Sequence, residues 1–255
     1  MLALMRGSES SAARQRLKAA AHSVAQRIGF DVIRSESAIP ALTTPAILRE
    51  TGTTVVVDVG ANSGQYGSKL RREGYRGRIV SFEPMASAFA LLEEKADADP
   101  AWTCVRVAVG AAPGEATLHV TANSASSSLL SMGDETIGAE PATAVVADET
   151  VKVEPLDELV HDLLIGDDRV FLKVDVQGYE REVLEGAEET IRLAQAMQVE
   201  LALVQLYEGQ ALIHELLGYL YIRGFDLVDL SPGFKDRRTG QLLETDALFR
   251  RRRPG

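Results

Sequence analysis

The sequence is poor in everything that would tie a chain to an oxidising compartment, a nucleic acid or a bilayer. Cys104 is its one cysteine in 255 residues, so an intramolecular disulfide and a cysteine-ligated metal cluster are both excluded and a reduced compartment fits. Cys104 lies in an apolar run and reads as core. Positive charge is also in deficit: 27 Lys and Arg against 37 Asp and Glu leave a net charge of −10. Without a basic surface to neutralise phosphates, DNA and RNA are not expected as partners. The first 40 residues hold no apolar run long enough for a signal-peptide core or a membrane span, despite Arg6, Arg14, Arg16 and Lys18, so a cytoplasmic protein is expected. With 45% hydrophobic residues, the chain can bury one sizeable core and perform as one large domain.

What is present centres on residues 55–67. Val55, Val56, Val57 and Val59 run without alternation around Asp58 into glycine, the signature of a parallel strand buried on both faces. Gly60 and Gly64 suit a tight strand-to-helix turn in which backbone lies against a ligand, and Gly67 falls where the following helix must pack closely on the sheet. Such a turn alone is a weak signal. It gains weight from the next strand, residues 79–84, which delivers Glu83 25 residues beyond Asp58, the spacing at which a doubly wound fold sets a carboxylate on a ribose. The glycines follow G-x-x-x-G instead of the G-x-G-x-x-G of a dinucleotide site. Asp58 would repel phosphates there but suits an ammonium or sulfonium. S-adenosylmethionine (SAM) is therefore favoured over NAD.

Helix and strand patterns alternate through the rest. Leu17, Ala21, Val24 and Ile28 recur at helical spacing with Gly29 as a stop, giving a helical extension over 1–50 ahead of a domain over 51–250. Its apolar face can pack on the domain, cover the pocket or meet a second subunit, so a homodimer is a candidate. A short helix is expected at 46–50, a helix at 86–96, a strand at 102–109 and a hairpin partner at 116–120. Residues 123–128, rich in serine, form a loop whose hydroxyls, Ser127 among them, either touch ligand or face solvent. The stretch to Glu149 has no periodicity and reads as a lid. One helix is expected at 180–193, another at 212–222, and an antiparallel pair at 225–230 and 247–250. Arg250 to Arg253 read as a solvated tail.

A second informative stretch, residues 171–180, is another buried strand that ends in Asp175 before a glycine turn. In open α/β sheets ligands lie beyond the carboxyl ends of the strands, so Asp175 should share a crevice with Asp58 and Glu83. The strand at 197–206 carries Glu200 as a lone acid among apolar residues, and an unpaired buried carboxylate is costly. Three arrangements answer this. Asp175 and Glu200 hold a divalent cation such as Mg²⁺, or accept hydrogen bonds from a substrate, or Glu200 pairs with a base such as Lys173. His22, His119, His161 and His214 have no position that marks them as a base, so Asp175 with Glu200 is the expected catalytic pair. Tyr207 and Glu208, just past the same strand, would shape an acceptor pocket together with Ser127.

In order and spacing, residues 57–65, 82–84, 126–129, 155–159, 172–180 and 183–187 resemble the FkbM-type SAM-dependent methyltransferases. The resemblance implies a class I (Rossmann-like) fold: a mostly parallel seven-stranded sheet, helices on both faces and an antiparallel C-terminal strand. It implies methyl transfer to oxygen, with a sugar, oligosaccharide or glycolipid hydroxyl as acceptor. A polyketide or other natural product is the alternative acceptor, and a non-catalytic SAM-binding scaffold the alternative class. By the same likeness Asp58, Gly60, Asn62 and Gly64 would line the methionine side of SAM, Glu83 would hold the ribose, and Val107 and Ala108 would approach adenine. Gln177 departs from the family, which has glutamate there.

Overall fold

The computed structural model describes residues 43–133 and 143–253. The helix expected around Leu17 to Ile28, with His22, and the part of the expected lid at 134–142 lie outside these residues. In chain order the strands are β1 (Val55–Val59), β2 (Arg78–Phe82), β3 (Trp102–Val105), β4 (Ala108–Val109), β5 (Gly114–Thr121), β6 (Val145–Glu154), β7 (Val170–Val174), β8 (Ala194–Ala202), β9 (Phe225–Pro232) and β10 (Glu244–Arg251). The α-helices are α1 (Thr44–Thr51), α2 (Gln65–Arg72), α3 (Ala86–Asp97), α4 (Leu156–Val160), α5 (Glu180–Glu185), α6 (Glu188–Leu193) and α7 (Ile213–Ile222).

Seven strands form the main sheet in the order β3-β2-β1-β7-β8-β10-β9. The first five pair in parallel, and β10 runs antiparallel to both its neighbours. The valine run of β1 explains why this sheet must be covered on both sides. Val55, Val57 and Val59 face a core completed by Leu156, Leu184 and Leu220 from α4, α5 and α7, while Val56 faces one completed by Ile47, Leu70 and Leu92 from α1, α2 and α3. Each such valine, fully buried, contributes about 1.5–3 kcal/mol. Among the described residues no helix is long and apolar enough to cross a membrane.

Four expectations are corrected. The strand expected at 102–109 divides: β3 is the edge of the main sheet, and the chain leaves it after Val105 so that β4 can join a second, three-stranded sheet. The hairpin between that strand and β5 does not form, because β6 inserts between them, antiparallel to β5 and parallel to β4. The last residues of the expected lid, Val145 to Glu149, therefore belong to β6. The single helix expected at 180–193 breaks in two. A Cβ on Gly186 would lie 2.0 Å from the Gly110 carbonyl, and the Asp157 carboxylate accepts from the Glu189 and Thr190 amides, both at 2.8 Å, as a fresh helix start. Finally, the terminal arginines are pinned, not solvated alone: Arg250 and Arg253 bind Glu50, Arg251 donates to the Ala194 and Ile191 carbonyls, and Arg252 binds Asp226.

Candidate active site

Two charges interrupt otherwise apolar strands, Asp58 in β1 and Lys173 in β7, and they sit side by side in register. Neither can stand alone in a sheet interior. Asp58 is 0% exposed; the Lys173 ammonium lies 3.2 Å from its Oδ1, and Ser81 on β2 donates to its Oδ2 at 3.2 Å. Trp102 on β3 donates in turn to Ser81 Oγ at 3.0 Å. A polar row thus crosses four strands. Burial raises the Asp58 pKa, with Lys173 opposing it. Burial alone would lower that of Lys173, but the Asp175 and Asp58 carboxylates overcome it and raise the value, so the ammonium stays charged. Lys173 Nζ also donates to Gly60 O at 2.8 Å and lies 3.4 Å from Asp175 Oδ2. One cation therefore joins the buried row, the glycine turn and Asp175.

The glycine turn is fixed by backbone geometry. Gly60 has φ +75°, and a Cβ there would lie 1.8 Å from the Asp175 carbonyl oxygen, so any side chain would push β1 and β7 apart. At Gly67 a Cβ would fall 2.4 Å from the Trp102 ring, which brings α2 close against the sheet as its spacing implied. Asn62 takes φ +47° and stabilises the bend by accepting from the Ser63 amide through its own Oδ1 at 2.7 Å. Glu83, just beyond β2, is 6% exposed. Its Oε2 accepts from the Asn62 amide at 2.7 Å and its Oε1 from the Met85 amide at 2.8 Å. Burial pushes this carboxyl up to about 6, against the pull of the two amides.

A cavity of about 550 Å³ opens at the carboxyl ends of β1, β2 and β7, lined by Gly60, Asn62, Glu83, Val107, Ala108 and Ser127 and, opposite them, by Asp175 and Glu200. Its size is that of a small-molecule site. At the far side Gln177 Nε2 donates to Asp175 Oδ1 at 3.0 Å and to Glu200 Oε2 at 2.6 Å. Gln177 Oε1 meets the Tyr207 hydroxyl at 3.1 Å. Two carboxylates require donors and the phenol supplies one, which settles the orientation of the amide. Glu180, 2% exposed, pins the turn by accepting from the Val176 and Gly178 amides at 3.0 and 3.2 Å, and burial pushes it up to about 7. Burial, then Asp175 and Glu244, hold the Glu200 carboxyl well above the usual carboxylate range.

This arrangement does not fit the Mg²⁺ considered for Asp175 and Glu200. Among the described residues no group of three or more His, Cys, Asp or Glu side chains is placed to hold a metal ion. Between the two carboxylates stands an amide donor, where a bridging cation would need acceptors.

Of the residues singled out in the sequence, Gly60, Asn62, Glu83, Val107, Ala108, Ser127, Asp175 and Glu200 share the cavity. Asp58 and Gly64 do not line it: Asp58 belongs to the buried row, and Gly64 packs under Leu92 and Trp102. Tyr207 stands behind Gln177 on a second cavity, and Glu208 is exposed and lines neither. Glu200 is not the partner of Lys173. His119 pairs with Asp148 at 2.8 Å on the small sheet, and His161 and His214 are exposed. Sequence reasoning missed Lys173 as a hub, Gln177 as a bridge and Tyr66, whose hydroxyl donates to Gln198 at 2.9 Å beside the cavity. A signal existed: opposite charges, one in each of two apolar strands, require each other.

The sheet order, the antiparallel last strand, the glycine turn and the acid after β2 define a class I methyltransferase fold. The model of the methyltransferase FkbM domain matches residues 58–227, and the chain belongs to that family. No curated protein matches it in sequence. Solved structures similar to it include the methyltransferase FkbM from Methylobacillus flagellatus KT, 17% identical over 77% of this chain and 43% of that one, with a TM-score of 0.48. A rRNA methylase from Streptococcus thermophilus is 11% identical over 82% of this chain and 95% of its own, with a TM-score of 0.44. TehB from Haemophilus influenzae is 10% identical over 86% and 65%, also at 0.44. The chain spans less than half the length of the first of these. Methyltransferase folds of this kind bind SAM in general.

Proposed function

We propose that the chain is a SAM-dependent O-methyltransferase whose acceptor is a hydroxyl of a sugar, oligosaccharide or glycolipid. One observation carries the reading: a single cavity is lined both by Glu83, Val107 and Ala108, which follow β2 and β3, and by Asp175 and Glu200, which follow β7 and lie on β8. Donor and acceptor must meet in line in one cavity, and a carboxylate suited to ribose hydroxyls and a candidate base both line this one, which supports the reading.

The residues fit the cofactor. Each Glu83 oxygen already accepts one backbone amide and has lone pairs left for the two hydroxyls of a ribose. Val107 and Ala108, both buried, offer an apolar wall for adenine. When bound, SAM supplies an electrophilic methyl whose bond to sulfur breaks as the bond to the acceptor oxygen forms, releasing the thioether. Asp175 takes the hydroxyl proton. Its side chain is 35% exposed, toward the cavity, and Lys173 and Gln177 aim its two oxygens. Glu200, tied to the same Gln177 amide, stands beside it at the acceptor end.

Calorimetric titration with SAM and with NAD, followed by transfer from methyl-labelled SAM to a glycan panel, tests this. SAM should bind, NAD should not, and label should enter a hydroxyl-bearing glycan. Binding of NAD in place of SAM would sink the reading. SAM binding with no transfer to glycans or natural products would move the chain to the scaffold class.

A further inference from the structure

Behind Gln177 and Glu200 lies a second cavity of about 470 Å³, which shares those two residues and Ala125 with the first. Its other walls include Ser126, Met132, Tyr207, Phe234 and Glu244. Glu244, the first residue of β10, is 4% exposed. Its Oε1 has no hydrogen-bond partner among the described residues. A buried polar atom without a partner is a standing penalty that a ligand can remove. The chemistry proposed for the first cavity makes no use of it.

The walls also sort ligands by charge. Burial, reinforced by Glu180 and Asp175, pushes the Glu244 carboxyl up to about 8, so near neutral pH it keeps its proton and both donates and accepts. Glu200 is raised as well. Asn123 and Ser126 add uncharged hydrogen-bonding groups, Tyr207 and Phe234 add aromatic faces, and Arg237, also on the wall, has an interaction of its own. A protonated Glu244 offers no counter-charge to a cationic acceptor. Neutral donors and acceptors beside aromatic faces instead match a polyhydroxylated ring.

We propose that the second cavity is the acceptor subsite, in which Glu244 hydrogen-bonds the hydroxyls of a neutral glycan unit whose reacting hydroxyl lies at the shared edge formed by Gln177 and Glu200. This rests on the methyltransferase reading of the first cavity and adds the place and charge of the acceptor.

Methionines give one reporter for each cavity: Met132 lines the second, and Met85 donates its amide to Glu83 beside the first. In protein carrying carbon-13 methyl methionine, S-adenosylhomocysteine should shift the Met85 signal. Methyl glycosides of glucose, mannose and galactose, titrated onto that complex, should then shift Met132. Glu244→Leu, which removes the hydrogen-bonding group, should weaken the glycoside effect about tenfold, as for loss of one hydrogen bond from a buried group, and leave S-adenosylhomocysteine binding unchanged. Phe234→Ala, which removes a ring and no charge, should weaken it too. A Met132 signal that no glycoside moves, or that only glucosamine moves, overturns the proposal; so does unaltered glycoside affinity in both variants. Failure of S-adenosylhomocysteine to move Met85 instead strikes the methyltransferase reading itself.

Discussion

The two ends of the crevice are held in place by different means. At the β1 and β2 end the backbone does the positioning: Gly60 and Asn62 adopt left-handed conformations, and Glu83 ties the turn to β2 through two main-chain amides. At the β7 and β8 end side chains hold one another. Asp175, Gln177, Glu200 and Tyr207 form one network, with Glu180 bracing its turn. A backbone cradle suits a ligand that does not change, and it fails only when bulk is added. A network of side chains can be retuned to different acceptors, but removing one member leaves the others unsatisfied. On the proposed reading, cofactor and acceptor meet at the seam between the two designs.

The sharpest way to break this comparison is Asp175→Asn, which keeps the shape and removes the charge. Turnover should fall by about 10²–10⁴, the range for losing a general base, while SAM affinity, set at the other end, stays within about twofold. Radiolabel transfer and calorimetry measure the two quantities. Loss of SAM affinity in parallel would mean the ends are not separable. Lys173→Met strikes both ends at once, because it leaves Asp58 buried without its counter-ion and frees Gly60. Removing one partner of a buried pair costs about 3–5 kcal/mol, readable by urea unfolding. The double change Lys173→Met with Asp58→Leu should recover most of it, and a single variant as stable as the parent would contradict the polar row.

Glu83→Ala sharpens the contrast from the cofactor side. SAM binding should weaken by roughly 1–3 kcal/mol as two hydroxyls lose a charged acceptor, with folding preserved and turnover at saturating SAM close to the parent's. Unchanged affinity would remove Glu83 from the site.

The same difference governs what could be read from the sequence. The backbone end is local: residues 55–67 are contiguous, Glu83 follows at a set spacing, and both turned up in one cavity. Asp58 misled because a strand buried on both faces has no alternation to say which way an acid points, and it points along the sheet toward Lys173. The network end is non-local. Asp175 was visible from its place at a strand end, and Glu200 from its isolation. Gln177 stood out only as a departure, and its bridging depends on a φ of +56° that no propensity assigns to glutamine. Glu244 and Asp246 reach the site because β10 lies antiparallel to β8, with Asp246 opposite Glu200, a register set by tertiary packing. The missing hairpin has the same cause, since the partner of β5 is a strand that begins only at Val145.

The smallest predicted effect tests whether the ends titrate separately. The Glu83 carboxyl, pushed up to about 6 by burial from an ordinary 4.5, takes up its proton earlier on acidification in the folded chain than in the unfolded one. Its contribution to stability is therefore fully present below about 4.5 and is lost as pH rises through about 6, a change of about 2 kcal/mol. SAM binding should run the opposite way, because ribose hydroxyls donate and need the ionised form. Between pH 7 and pH 5 the ionised fraction falls to about one-tenth, so SAM affinity should drop about tenfold. Glu180 and Glu244, pushed up to about 7 and about 8, titrate in the same range but lie at the acceptor end, so they should alter turnover and not SAM affinity. Calorimetry from pH 5 to pH 8 on the parent and on Glu83→Gln separates the groups: the variant, which cannot ionise, should show a flat SAM profile between pH 5 and pH 7. An equal slope in both proteins would assign the titration to another group and couple the two ends after all.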